Sequence, residues 1–547
     1  MGLRRPSGPP GRAAGGLVTM MGRYTAWCLA ALSLGSAAGK DAVYQYSAPV
    51  GARRAYLWIP PGCRQVRGVM MAMSNLLERA WLEDPIVRDA AAAECLGSVW
   101  LGPLPGGARA PFTADLRPGS EAALEQMLCD LAAESGYGEI VEAPIVSMGH
   151  SANGQLAWNI PNWKPERTIA GIAIKTVPLP ALEFTGVPLL YLVGQTTEWP
   201  QYRDGRPGDR DFFWPVVRVS ALALRGTSES NFVGVVTDPG SGHFDWSERQ
   251  ARFVALDIRK ACRYRLPADG SHKLKSIDAR SGWLTGTGGM EPDKFSPAPY
   301  EKYRGDPKKA YWFFDEETAR AAAAFEGDRK PRQRQMLTFL QDGTPLPVAR
   351  QGFAALRFEP EADGVGFRVA GTFLAELPPE LIGAGTPLGH ARGPIKFRVI
   401  TGPAVQVAPD RFRIQFNRGS IGGDLWIQEE QAGDSRYRHA VQPGQMTIPA
   451  RVTNGKPQRI AFPEIPSRKA RAGSIELKAT SDSGLPVDYY VVAGPAELPG
   501  SRLTFTKIPA SSRYPVKVTV VAYQWGRTIA PLVQSAEPVE QTFWIER

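Results

Sequence analysis

Residues 143–156 read APIVSMGHSANGQL, an apolar run followed by a serine set among small residues. A turn that pushes a serine hydroxyl forward between strand and helix leaves no room for bulky flanks, so G-x-S-x-G is its expected pattern. Here the pattern reads Gly149-His150-Ser151-Ala152-Asn153, with Gly154 next. Asn153 departs from it, but asparagine tolerates left-handed backbone better than most residues, and the glycine that follows keeps the turn feasible. Ser151 is therefore either a nucleophile on a sharp turn or an ordinary loop serine. The rest of the chain decides, by whether it supplies a base, an acid and oxyanion donors in a workable order.

On either side of that stretch, the chain alternates strand and helix from residue 55 to about 266. AYLWIP, RGVMMAM, LGSVWL, APIVSMG, TIAGIAIK, PLLYLVG and FVGVVTD are short apolar runs. Between them lie SNLLERAWLEDPIVRDAAAAE, interrupted at Pro85, and SEAALEQMLCDLAAE, opened by Ser120. DWSERQARFVALDIRKACRYRL closes the region as a long helix, with Asp245 or Ser247 as its N-cap. Continuous apolar strands alternating with helices predict a mostly parallel sheet covered on both faces. Residues 267–345 are mixed, with a short helix in DEETARAAAAFEG and a charged run in EGDRKPRQRQ. From about 346 the pattern becomes short β-segments with turns between them, such as IKFRVITG, VDYYVVAG and VKVTVVAYQWG. That spacing predicts an antiparallel β-sandwich region of immunoglobulin-like kind, in one or two modules. The expected division is 1–38 leader, 39–266 α/β domain, 267–345 mixed linker or accessory segment, and 346–547 β-sandwich region.

At 547 residues the chain exceeds a single ordinary core. The net charge of +10 comes from basic residues spread along the chain, without a nucleic-acid motif, so no nucleic-acid partner is expected. Residues 21–40, MGRYTAWCLAALSLGSAAGK, have a positive start, an apolar stretch from Ala26 to Leu34 and small residues around Ala38. They read as a secretory signal cleaved near Ala38, too short to span a bilayer. A secreted or periplasmic protein without stable membrane insertion follows. Four cysteines remain beyond the leader: Cys63, Cys95, Cys129 and Cys262. Cys63 and Cys95 each precede an apparent strand, and parallel neighbouring strands would bring them to one edge, where they could bridge. Cys129 and Cys262 sit in helical patterns and read as packed thiols. No H-E-x-x-H, paired C-x-x-C or nucleotide-binding glycine signature is present, so neither metal nor cofactor is expected.

The chain has only five histidines: His150, His243, His272, His390 and His439. His150 adjoins Ser151 on the turn and should point away from it, while His390 and His439 fall in the β-rich half. His243, in GSGHFDWS after the run FVGVVTD, is the candidate base. The acid should lie between Ser151 and His243, in the loop QTTEWPQYRDGRPGDRD after PLLYLVG. Glu198 has the best position there, with Asp204 and Asp209 as alternatives. The N–H of Ala152 is the first oxyanion donor. The second is the backbone of Asn75 or Leu76, with the Asn75 side chain assisting. Asn75 reads equally well as a helix N-cap. Trp158, Trp163, Trp199 and Trp246 are candidates for stacking against a sugar or phenolic ring, or for ordinary packing.

With GHSANG, PLLYLVGQTTE and GSGHFDWS in that order, residues 55–266 resemble the α/β-hydrolase superfamily. Within it they look most like the exported esterase branch typified by feruloyl esterases and polyhydroxyalkanoate depolymerases. The resemblance implies acyl-ester chemistry through a covalent acyl-enzyme, with Ser151, His243 and Glu198 as triad, and export together with β-sandwich modules points to a carbohydrate-linked or polymeric ester as substrate, whether small-molecule or polysaccharide-linked. Two other readings stay open at this point: a non-catalytic binding or scaffold protein on the same fold, and a serine peptidase.

Overall fold

The continuous apolar runs are buried on both faces because helices cover both. The computed structural model describes residues 43–104, 120–177, 180, 182, 184–198, 213–286, 295–327, 332–348, 352–381, 383–420 and 422–547. The leader expected over 1–38 lies outside them. Strands β1 (Tyr46–Val50), β2 (Arg53–Trp58), β3 (Gly68–Met73), β4 (Leu96–Leu101), β5 (Ile145–His150), β6 (Thr168–Ile174), β7 (Leu189–Gly194) and β8 (Val233–Asp238) form one sheet. Their order is β1-β2-β4-β3-β5-β6-β7-β8. β2 pairs antiparallel with β1 and β4, and every other pairing is parallel. β3 to β8 bury every residue. The mostly parallel sheet predicted from the sequence is the one observed, with β1 added at its edge.

Among the described residues, the helices that serve this sheet are α1 (Glu78–Glu83), α2 (Pro85–Ala93), α3 (Ser120–Ser135), α4 (Leu156–Trp163), α5 (Gln195–Glu198), α6 (Phe213–Thr227) and α7 (Glu248–Arg265). The break between α1 and α2 follows from Pro85, which has no N–H and suits a first helical position. Asp84 completes the start of α2 by accepting from the N–H groups of Ile86 and Val87. α7 opens at Ser247, whose hydroxyl accepts from Gln250 N–H. Asp245, the other N-cap candidate, is engaged elsewhere.

The register of β3 against β4 pairs Gly68 with Leu96, which sets Cys63 and Cys95 at one edge. They form a disulfide with a Cα–Cα distance of 5.7 Å, closing a separation of 32 residues. Cys129 and Cys262 are free thiols, on α3 and α7. A loop of this size is stabilised mainly through the unfolded chain. The double variant Cys63→Ser/Cys95→Ser should therefore unfold in urea with roughly 3–4 kcal/mol less free energy than the oxidised protein. Coincident unfolding curves would show that the bridge contributes nothing.

Residues 267–345, expected as a mixed linker or accessory segment, pack against the β8 side. It carries a three-stranded sheet (Trp283–Thr285, Ala298–Pro299, Tyr311–Phe313) and α8 (Glu316–Gly327). Trp312, Phe313, Phe314 and Phe325 join the core of the α/β part, and the Trp312 ring lies 4.5 Å from that of Phe232. Its sequence carries no long apolar run, which is why it reads as mixed. Beyond it, several small, mainly antiparallel sheets follow. One sheet orders strands Ala354–Leu356, Ala440–Thr447, Asp424–Gln431 and Lys396–Thr401; a later one orders Arg468–Lys469, Val539–Glu546, Val516–Tyr523 and Asp488–Ala493. Apolar residues of the later sheet, among them Val518 and Phe543, share one core with Leu57, Met71 and Leu128 of the α/β part. No described helix is long and apolar enough to cross a membrane.

Candidate active site

Ser151 opens a tight helical turn directly after β5, with φ of +53°. A non-glycine residue held in the left-handed region costs on the order of 1–3 kcal/mol and persists only where its surroundings enforce it. The enforcement is visible. A Cβ on Gly149 would stand 2.0 Å from the Asn153 carbonyl oxygen, and one on Gly154 would stand 2.3 Å from the Thr176 side chain. The close approaches thus fall at 149 and 154, which explains why position 153 can carry a side chain. Asn153 Nδ2 donates to the Met73 carbonyl at 3.1 Å, tying the turn to the end of β3.

The turn aims the Ser151 hydroxyl at His243. His243 Nε2 lies 3.0 Å from Ser151 Oγ, and Nδ1 lies 2.7 Å from Glu198 Oε1. Glu198 is fully buried, on the one-turn helix α5 after β7, and its other oxygen accepts Gly194 N–H at 2.7 Å. Three loops at the carboxyl ends of β5, β7 and β8 therefore bring alcohol, carboxylate and imidazole together. Because the carboxylate takes the Nδ1 hydrogen, Nε2 is left as an acceptor for the serine proton. Asp204 and Asp209 lie outside the described residues.

The loop carrying His243 has no regular structure, so its hydrogen bonds must fix it. Asp245 Oδ2 accepts Gly242 N–H at 2.6 Å, and Oδ1 accepts the Ser241 hydroxyl. Lys175, fully buried at the end of β6, donates to Asp245 Oδ1 at 3.1 Å and to its carbonyl. His150 contributes from the turn itself: its Nε2 lies 2.8 Å from the His243 carbonyl oxygen, so it carries the proton there. Burial, then proximity to His243, holds the His150 imidazole well below its ordinary pKa of 6.5, so it is neutral. Its role is to hold the loop, not to take a proton from serine.

Ala152 is exposed at the second position of the turn, where an N–H has no acceptor within the helix. The expectation for backbone donors at Asn75 and Leu76 needs correction. Both N–H groups donate to Glu78 Oε2, at 3.0 and 2.9 Å. Asn75 Nδ2, with two hydrogens, donates one to the His150 carbonyl at 3.1 Å. The other Glu78 oxygen accepts His150 N–H at 3.0 Å, so one carboxyl group joins the loop after β3 to the turn after β5. Glu78 escaped the sequence reading, although Asn75 and Glu78 have the spacing of a capping box.

Burial pushes the Glu78 carboxyl up to about 7 from an ordinary 4.5, against the opposing pull of its N–H donors. Between those pH values the unfolded chain binds fewer protons than the folded one, so stability falls as pH rises from about 4.5 to about 7. The full excursion is worth roughly 3 kcal/mol. Glu78→Gln should remove this share of the slope, read as the change in urea-unfolding free energy between pH 5 and pH 8. Asp257 and Glu429, also raised by burial, keep a residual slope of the same sign. An unaltered slope in the variant would contradict the assignment.

The tryptophans divide differently from the stacking expectation. Trp158 is buried and stacks on Tyr191 at 6.2 Å, inside the core. Trp246 is buried under Arg398, whose guanidinium lies 4.1 Å from its ring centre. Neither presents a face to a ligand, because each was needed to fill the interior beside the site. Trp163 is partly buried beneath Lys164. Trp199 lies outside the described residues. Among those residues no group of three or more His, Cys, Asp or Glu is placed to hold a metal.

No family model matches the chain. No curated protein matches it either. Among solved structures it is similar to the poly(3-hydroxybutyrate) depolymerase LpqC of Bordetella parapertussis, at 16% identity over 42% of this chain and 92% of that one, with a TM-score of 0.26. A soluble variant of the Saccharomyces cerevisiae monoglyceride lipase matches at 10% identity over 41% and 96%, with a TM-score of 0.29. Est1E of Butyrivibrio proteoclasticus, solved with ferulic acid bound, matches at 12% identity over 40% and 97%, with a TM-score of 0.26. Likenesses this distant say nothing of activity or substrate. The strand order stands without them: the chain has the fold of the α/β-hydrolases.

Proposed function

We propose that the protein is a secreted serine hydrolase that cleaves carboxylic esters through an acyl-enzyme. The observation that carries this reading is the unbroken chain Ser151 Oγ–His243 Nε2, His243 Nδ1–Glu198 Oε1, at 3.0 and 2.7 Å. As Ser151 Oγ attacks the ester carbonyl carbon, His243 Nε2 takes its proton and Glu198 stabilises the resulting imidazolium. The carbonyl oxygen becomes an oxyanion held by Ala152 N–H and by the second hydrogen of Asn75 Nδ2. Each such donor contributes about 3–4 kcal/mol to the transition state. When the tetrahedral intermediate collapses, the imidazolium returns its proton to the departing alcohol. Water then repeats the sequence against the acyl-serine, releasing acid and free enzyme.

An exported enzyme joined to β-sandwich modules suits a carbohydrate-linked or polymeric ester. The leader pattern and the β-rich half support that substrate class. Turnover of p-nitrophenyl acetate by the intact protein, compared with a panel of peptides, tests the reading. Ester cleavage without peptide cleavage is expected. Peptide cleavage would make it a peptidase, and no turnover of either would leave a scaffold.

A further inference from the structure

The C-terminal β region reaches the His243 loop directly. On strand Asp424–Gln431 side chains alternate between two faces. Leu425 and Ile427 enter the core of the β region, whereas Trp426 and Gln428 face the α/β part. Gln428 is fully buried. Its Nε2 donates to the Trp246 carbonyl at 2.8 Å, and its Oε1 accepts Trp246 N–H at 3.3 Å. Arg398, directly opposite Gln428 in the register, donates to the same carbonyl at 2.7 Å and covers the Trp246 ring. On the next strand, Val441 N–H donates to the Gly240 carbonyl at 3.2 Å. Contact there is so close that a Cβ on Gly240 would stand 2.3 Å from the His439 carbonyl oxygen. The loop from Gly240 to Trp246 is thus held at both ends by residues some 150 to 200 positions away in the chain.

We propose that the β region is a working part of the catalytic unit, with Gln428 and Arg398 as positioning residues that clamp the His243 loop. This rests on the triad reading above. The buried glutamine in DLWIQEEQ gains a reason: its amide matches a peptide group donor for acceptor, which an apolar side chain cannot do. Without Gln428, Trp246 N–H loses its acceptor. The loop can then drift, and displacements near 1 Å at a reacting group cost on the order of 100-fold in rate.

The test compares Gln428→Leu and Arg398→Met with Gln458→Leu, a buried glutamine bonded to Gln524, Gln534, Ser481 and Ser483 of the last β module. Fluorophosphonate titration counts competent sites, so kcat for p-nitrophenyl acetate is read per site and misfolded protein drops out. Gln428→Leu should lose on the order of 10- to 100-fold in kcat per site with KM within about twofold. Arg398→Met, at a partly exposed position, should lose in the same direction and decides the matter if Gln428→Leu does not fold. Gln458→Leu should lower the melting temperature and leave kcat per site alone. Amide hydrogen exchange of residues 239–247 reads the clamp independently of catalysis. It should quicken in the first two variants and not in the third. Unchanged exchange and wild-type kcat per site in Gln428→Leu and Arg398→Met would overturn the clamp. An inactive wild type with quickened exchange in the variants would instead refute the triad reading and keep the clamp.

Discussion

Ser151→Ala should leave a folded protein whose ester turnover falls by on the order of 10⁵–10⁶ in kcat, with KM little changed. The substitution removes one oxygen from a partly exposed side chain. The only side-chain bond lost among the described residues is the one to His243 Nε2. Alanine inherits the left-handed backbone at the same steric cost as serine, since both carry a single Cβ. The thermal melt should therefore move by no more than a few degrees, equivalent to about 1 kcal/mol. Substrate binding uses the oxyanion donors and walls that remain, so the loss falls on the chemical step. Steady-state kinetics beside a melting curve separate this from unfolding. A variant turning over esters at the wild-type rate would place the nucleophile elsewhere.

Glu198→Gln should cost about 10⁴ in kcat, for a reason of orientation. The wild-type carboxylate accepts twice: from His243 Nδ1–H through Oε1, and from Gly194 N–H through Oε2. An amide has one oxygen for these two donors. Gly194 N–H belongs to rigid backbone at 2.7 Å and claims it, which turns the amide NH2 toward His243 Nδ1. The imidazole must then carry its proton on Nε2, facing Ser151, in the tautomer that cannot accept. Glu198→Asp keeps the charge and should fall between the two. Near-wild-type activity in Glu198→Gln would move the acid to Asp204 or Asp209.

Local features of this protein, and the long-range ones that strand order fixes, can be read from its residues, whereas contacts between the α/β part and the β region cannot. The runs that became β3 to β8 are mainly apolar, as strands buried on both faces must be. Ser151, Glu198 and His243 each follow such a run, so the order of strands already orders the loops that carry them. β1 was missed because YSAPV is short, ends in a turn and alternates only weakly. The aromatic residues stay open in the sequence for a different reason. An aromatic near the site in sequence has the same identity whether it lines the cleft or fills the core, and Trp158 and Trp246 fill the core. Asn75 N–H was misassigned because its acceptor, Glu78, is three residues on and looks like an ordinary first-turn acid. The grip of Gln428 on Trp246 spans 182 residues. The strand DLWIQEEQ carries no local mark of so distant a partner.

All of the chemistry proposed for this site follows from Ser151 being a nucleophile activated by His243. Exposing the intact protein to a fluorophosphonate and locating the adduct by peptide mass spectrometry tests it most directly. A single adduct on Ser151 is expected, absent in Ser151→Ala and formed orders of magnitude more slowly in His243→Ala. Folded wild-type protein that stays unlabelled, or an adduct on another serine with Ser151 unmodified, would contradict it.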